Sequence, residues 1–258
     1  MKLKVSKKQN YCPQTREELD DLLDQLLKER GWEADLNDID VSNITDMSGL
    51  FAKFREDIDK FKYNKDYDFS KFNGDISEWD VSNVKDMGMM FGYCENFNCN
   101  LSNWNVSNVT RMNGMFVECK KLNCDLSKWD VSNVTNMKEM FYYCEKFEGK
   151  GLENWDVSNV TNMEYMFSRC NSLDCNLSKW DVCNVTDMRE MFSFCYKFEG
   201  KGLENWDVSN VTDMSDMFAE CKKLNCNLSN WDVSNVTYYY NIFYRCPIKD
   251  EYKPKFKK

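Results

Sequence analysis

The stretch Trp79-Asp80-Val81-Ser82-Asn83-Val84 decides how this chain is read, because it returns, intact or nearly so, along most of the 258 residues. Its tryptophans, Trp79, Trp104, Trp129, Trp155, Trp180, Trp206 and Trp231, lie 25 or 26 residues apart. A fixed period of this length marks a protein that grows by stacking one unit, so that equivalent side chains line up in rows. One slot of every repeat is asparagine, at Asn83, Asn108, Asn133, Asn159, Asn184, Asn210 and Asn235, with Asn43 ahead of them. An amide side chain donates and accepts, so this row reads as a ladder bonding backbone from coil to coil.

Within one unit, Leu101-Ser102-Asn103-Trp104-Asn105-Val106 is apolar at positions 1, 4 and 6. That is the strand pattern of leucine-rich repeats. Val109, Met112, Met115, Phe116 and Cys119 follow at spacings of three, three, one and three, which predicts a short helix, with Ser107 or Asn108 as its cap. The expected fold is thus an α/β solenoid, a leucine-rich-repeat-like stack of about eight 25/26-residue coils, each a short parallel strand plus a short helix. Its core is predicted to hold the Leu, Trp, Val, Met and Phe rows, with unbranched methionine filling the gaps.

Outward from the repeats, Thr15-Arg16-Glu17-Glu18 forms a capping box, and Leu19, Leu22, Leu23, Leu26 and Leu27 give one apolar stripe ended by Gly31. A helix there is predicted to cover the open first coil. Residues 1–35 are read as the N-terminal segment and capping helix, 36–246 as the repeat array with an insertion at 52–67, and 247–258 as a frayed Lys-rich tail. Aromatics at Tyr238, Tyr239 and Tyr240 are predicted to close the far end. Coils beginning at Phe147 and Phe198 carry one extra residue between paired glycines, Gly149 and Gly151 or Gly200 and Gly202, which predicts bulges at positive φ.

The 13 cysteines keep the same register: Cys94, Cys119, Cys144, Cys170, Cys195, Cys221 and Cys246 in one column, Cys99, Cys124, Cys175 and Cys226 in a second. Once-per-coil cysteine reads as small buried filler, with disulfides between neighbouring coils as the alternative, and C-x4-C spacing without a single histidine defines no metal site. The aspartate row, Asp40, Asp80, Asp130, Asp156, Asp181, Asp207 and Asp232, is Asn105 in one coil. Asparagine keeps the acceptor and drops the charge, so the row reads as a hydrogen-bonding post, with divalent-cation binding as the alternative.

The net charge of −9 without a Lys/Arg stripe excludes a phosphate-tracking nucleic-acid binder, and no apolar run approaches the length of a membrane span. No secretory signal pattern is legible. Without histidine there is no Ser-His or Cys-His nucleophile pair, no glycine loop cradles phosphate, and no cofactor is implied. No enzyme is expected. The slot two residues after each conserved Phe holds Tyr93, Glu118, Tyr143, Arg169, Phe194, Glu220 and Arg245. With Tyr142, Tyr165 and Tyr196 nearby, the residues Tyr93, Tyr142, Tyr143, Tyr165, Arg169, Phe194 and Tyr196 form the candidate binding patch, since exposed aromatics and arginine suit protein interfaces.

The repeats Trp129 to Phe141 and Trp206 to Phe218, of the form Trp-Asp-Val-Ser-Asn-Val-Thr-x-Met-x-x-Met-Phe, closely resemble those of the BspA-like leucine-rich-repeat family of bacterial surface proteins. That resemblance implies a leucine-rich-repeat-like solenoid acting in adhesion or in binding host or partner proteins, with no catalytic residues. Without a signal peptide, lipobox or wall-sorting motif, the chain is expected to be cytoplasmic or unconventionally exported. Its function is expected to be that of a non-enzymatic protein-binding scaffold of unknown partner, with a monomer favoured. The alternative is a structural or self-assembling element whose repeats stack end to end or bind divalent cations through the aspartate row.

Overall fold

The computed structural model describes residues 10–52 and 69–256, so the insertion at 52–67 lies almost wholly outside the described residues. Among them the only α-helix is α1 (Arg16–Arg30). Thr15 caps it by accepting from the Glu18 N–H, and the Glu18 carboxylate accepts from the Gln14 N–H at 2.7 Å. Leu19, Leu23, Leu26 and Leu27 are buried against the first coil. Gly31 (φ 85) donates its N–H to Leu27 O and stops the helix.

The repeats correct the strand-plus-helix expectation. No strand, no sheet and no α-helix occurs in them among the described residues; what is present is a chain of turns, joined across coils by isolated parallel bridges such as Asp86 to Arg111 to Asn136 to Asn162. The chain is therefore not an α/β solenoid of leucine-rich-repeat type. In the segment expected as a helix, Met115 N–H donates to Met112 O, Val117 to Gly114 O and Cys119 to Phe116 O, each closing a turn over three residues. The alternate amides leave the coil altogether: Met112, Gly114, Phe116 and Glu118 donate to the carbonyls of Asn136, Lys138, Met140 and Tyr142 at 2.7–3.2 Å. A helix would have sent Phe116 back to Met112.

Two residues per coil sit in the left-handed region, Gly114 (φ 60) and Glu118 (φ 57) here, Glu139 (φ 58) and Tyr143 (φ 61) in the next coil. Positive φ at the third position is what type II turns require, and it breaks any helical run. The segment expected as a strand is likewise a turn, closed by Trp104 N–H on Leu101 O. Apolar residues at spacing three therefore mark turn ends pointing inward, a periodicity that a helix and a chain of turns share.

Short polar side chains set the corners. In one coil Asn100 accepts from the Ser102 N–H and Asn105 from the Ser107 N–H, and in the next Asn136 accepts from the Lys138 N–H. Each is an Asx turn, which replaces a backbone partner that the chain lacks at a bend. Without a helix, neither Ser107 nor Asn108 acts as a cap: Asn105 sets the corner, while Asn108 reaches the previous coil, its Nδ2 donating to Ser82 O at 2.7 Å. Every later asparagine of the row repeats that bond, down to Asn235 on Ser209 O.

Rows of side chains fill the interior. Phe51, Phe91, Phe116, Phe141, Phe167, Phe192, Phe218 and Phe243 stack with centroids 5.6–5.7 Å apart. Each tryptophan of the row from Trp79 to Trp231 donates its indole N–H to the Leu or Ile carbonyl of the coil before, as Trp129 does to Leu101 O at 3.1 Å, which leaves the ring dry and its one polar atom satisfied. In the first cysteine column, Cys94 to Cys221, each thiol points at the Phe carbonyl of the preceding coil at 3.0–3.1 Å.

All cysteines among the described residues are free thiols. Burial pushes the Cys94, Cys119, Cys144, Cys170, Cys195 and Cys221 thiols far up, and Cys124 and Cys175 up to about 12. A protonated thiol without solvent access is inert. Alkylation of the native chain, mapped by mass spectrometry, is therefore expected to label exposed Cys12 first and half-exposed Cys183 next. The column from Cys94 to Cys221 should react only on unfolding, and labelling there at the rate of Cys12 contradicts the buried column.

The far end differs from the expectation. The far end is closed by the tail rather than by its tyrosines: Ile248 is buried, Leu228 N–H donates to Tyr252 O, and Phe256 stacks on Tyr239 at 4.5 Å. The stretch expected to fray is ordered through a short 3-10 helix at Asp250–Tyr252, whereas Tyr238 and Tyr240 are 66% and 75% exposed.

Candidate functional site

The left-handed residues form two rows along one side of the stack. The first runs Gly49, Met89, Gly114, Glu139, Tyr165, Glu190, Asp216, Asn241; the second runs Tyr93, Glu118, Tyr143, Arg169, Phe194, Glu220, Arg245. An L-residue held there costs about 1–2 kcal/mol, and glycine relieves it. Glycine stands at two places in the first row and nowhere in the second.

Six of the seven candidate patch residues come together on this side. Tyr142 lies 6.0 Å from Tyr143 and edge-on to Tyr165 at 6.1 Å. The Arg169 guanidinium sits between two rings, 5.4 Å from the centroid of Tyr143 and 4.5 Å from that of Phe194. Tyr196 meets Phe194 edge-on at 6.3 Å and is 41% exposed. Tyr143, Tyr165, Arg169 and Phe194 are half-buried, their rings lying over neighbouring coils with one side open. Tyr93 is two coils away, with Glu118 between. The set is a strip of five rings around one cation, with Arg169 held between Tyr143 and Phe194 by cation–π contact and Tyr142, Tyr165 and Tyr196 joined by ring–ring contacts.

Beside it lies a cluster that sequence reasoning missed. Glu164 is buried, with Lys138 Nζ at 2.8 Å on one oxygen and Arg189 on the other. Arg189 also covers the Tyr165 ring at 5.5 Å. Burial, with Glu190 next to it, pushes the Tyr165 hydroxyl up to about 12. Burial likewise raises the Glu190 carboxyl. Lys138, Glu164 and Arg189 share one slot in consecutive coils, so a plus-minus-plus alternation at the repeat period was legible.

Elsewhere the polar rows are occupied by the fold itself. The aspartates of the post each accept an N–H two residues on, as Asp130 does from Ser132 at 3.1 Å. Among the described residues no cluster of three or more acids and thiols is arranged to hold a metal ion. A shallow concavity bordered by Glu199, Lys201, Glu204, Lys223 and Cys226 contains a thiol pushed up to about 12 by burial. Lys201 bridges Asp174 and Glu199 at its rim. No helix among the described residues is long and apolar enough to cross a membrane.

Coils that repeat their bonds at 25- or 26-residue steps, with one ring-and-cation strip along their flank, define a tandem-repeat protein. In keeping with this, a family profile matches the chain three times over, at residues 20–71, 63–174 and 144–253. The chain belongs to that family, described as Mycoplasma protein of unknown function, DUF285. No curated protein matches it.

Proposed function

We propose that this chain is a non-enzymatic scaffold that binds a partner protein through the strip Tyr142, Tyr143, Tyr165, Arg169, Phe194 and Tyr196. The observation that carries this reading is that Tyr143, Arg169 and Phe194 in the second left-handed row, and Tyr165 in the first, are kept at positions that glycine would occupy with less strain. Strained backbone persists where the side chain it presents is needed. Tyrosine and arginine are also the residues that dominate binding energy at protein interfaces, and rings already pinned lose little freedom on binding. The likeness of the repeats to BspA-like units, which act in adhesion and protein binding, supports the same reading.

The test is capture by the immobilised chain, wild type against Tyr143→Gly/Phe194→Gly. Glycine removes the rings while relieving the backbone, so the fold is expected to melt no lower than wild type by more than a few degrees. Proteins retained by the wild type should be lost from the variant and kept by a control carrying Lys128→Ala on another exposed surface. Equal recovery by wild type and double variant removes the strip from the account.

A further inference from the structure

Within the Met-x-x-Met-Phe segment the bonds between coils run in one direction, whereas the threonine amides ahead of it, such as Thr110 to Lys85 O, donate the other way. Met87, Met89 and Phe91 donate to the following coil, and the carbonyls of Asp86, Gly88 and Met90 accept from the preceding one. The same holds at Met188, Glu190 and Phe192. Parallel β pairing would alternate donors and acceptors along each edge; here each edge of this segment is of one kind. The peptide dipoles of this segment consequently add along the stack, with their positive end at the last coil.

The acceptor pole is covered. Arg16, from α1, places Nη1 2.8 Å from Ser48 O and 3.4 Å from Asp46 O. At the donor pole the equivalent amides are those of Asn241, Phe243 and Arg245, and none of these N–H groups has an acceptor among the described residues. The tail meets the last coil through Leu228, whose N–H donates to Tyr252 O, through Phe256 on the Tyr239 ring and through Lys253 over the Phe243 ring at 5.9 Å, and it supplies no acceptor to the three amides among the described residues. Beside it stand Tyr240 and Tyr244, 75% and 47% exposed, with the Arg245 guanidinium over the Tyr244 ring at 5.1 Å. Arg245 also reaches back to Glu220 at 3.1 Å, and its side chain is 65% exposed. From Thr237 to Phe256 the chain has Arg245, Lys249, Lys253 and Lys255 against Asp250 and Glu251, in a chain whose net charge is −9.

We propose that this edge, the N–H groups of Asn241, Phe243 and Arg245 with Tyr240 and Tyr244 beside them, is a docking site for an acidic, extended segment of a partner protein. Its main-chain carbonyls take the three amides, as the next coil does everywhere else in the stack, and its carboxylates meet the positive pole. Main-chain bonding along an exposed edge is an established mode of peptide capture. A second copy does not fit here in the same register, because its own acceptor edge is held by Arg16. This surface is separate from the ring-and-cation strip, so either one stands without the other.

Residues 212–221 of this chain supply a probe, since Asp213, Ser215, Met217 and Ala219 accept from just such amides and the segment contains Asp213, Asp216 and Glu220. The terminally blocked peptide of that sequence is titrated into the isotope-labelled full chain. The amide resonances of Asn241, Phe243 and Arg245 are expected to shift, and their hydrogen exchange to slow tenfold or more. Tyr244→Ser/Arg245→Gln should weaken binding tenfold or more without moving the melting temperature, as should replacing the three peptide acids by their amides. The proposal is overturned by unshifted amides at millimolar peptide, by shifts centred on Tyr143 and Phe194, or by equal binding of the neutral peptide. Protection of the same amides by self-association without peptide assigns the edge to a second copy and also overturns it.

Discussion

Replacing Phe141 by alanine is expected to cost about 3–5 kcal/mol, the range for emptying a buried aromatic site. The ring is fully buried and touches four others, Phe116 and Phe167 at 5.6 Å above and below, Phe147 at 4.3 Å and Trp155 at 6.2 Å. Its carbonyl also accepts the Cys170 thiol at 3.0 Å. A stacked array couples only through neighbouring coils, so a cavity at mid-stack should separate the two halves as well as weaken them. Denaturant unfolding should show a lowered midpoint and a transition broadened or split. Phe243→Ala, at the end of the same row with one stacked phenylalanine at 5.7 Å and partial exposure, should cost less than half as much. Equal costs at Phe141 and Phe243 would mean that the phenylalanine row is not continuous.

Gly151→Ala is expected to be comparably severe for a different reason. Gly151 has φ 96, and a Cβ there would lie 2.2 Å from Ser127 N and 2.6 Å from Ser127 Cα. Those atoms are backbone of the preceding coil and have no rotamer with which to yield. Left-handed strain of about 1–2 kcal/mol adds to overpacking of about 1–3 kcal/mol. Gly202→Ala repeats the situation against Ser178. Gly49→Ala is the control, because its φ is 62 but no atom lies within 4 Å of the added Cβ, so only the strain of about 1–2 kcal/mol remains. Thermal melting of the three variants should therefore place Gly49→Ala well above the other two. A Gly151→Ala protein as stable as Gly49→Ala contradicts the close approach of coils at the extra residue.

The period and the rows were legible because stacking imposes them on every coil alike. Trp79, Asn83 and Cys94 recur in sequence for the same reason that they align in space. Local conformation was not legible. Val109, Met112, Met115 and Cys119 are spaced as a helix requires, yet the same spacing brings the ends of successive turns to one side. What separates the two is left-handed backbone at two positions four residues apart in each coil, and there the sequence shows mostly residues such as Glu139, Tyr165, Glu190 or Arg169, which do not advertise positive φ. Gly49 and Gly114 were the only local signals. The capping helix was readable because Thr15, Glu18 and the leucine stripe act within one element. At the flank, the composition of the row was readable but its contacts were not, since Arg169 on Phe194 and Arg189 on Glu164 each join residues one coil apart.

The claim on which all of this depends is that the amides of the Met-x-x-Met-Phe segment bond to the next coil and not within their own. Scalar coupling through hydrogen bonds, measured between amide nitrogen and carbonyl carbon in the deuterated, isotope-labelled chain, reports it atom by atom. Phe116 N is expected to couple to the carbonyl carbon of Met140, Gly114 N to that of Lys138 and Glu118 N to that of Tyr142. Coupling of Phe116 N to the Met112 carbonyl carbon instead would show a helix in each repeat and contradict the turn-built stack.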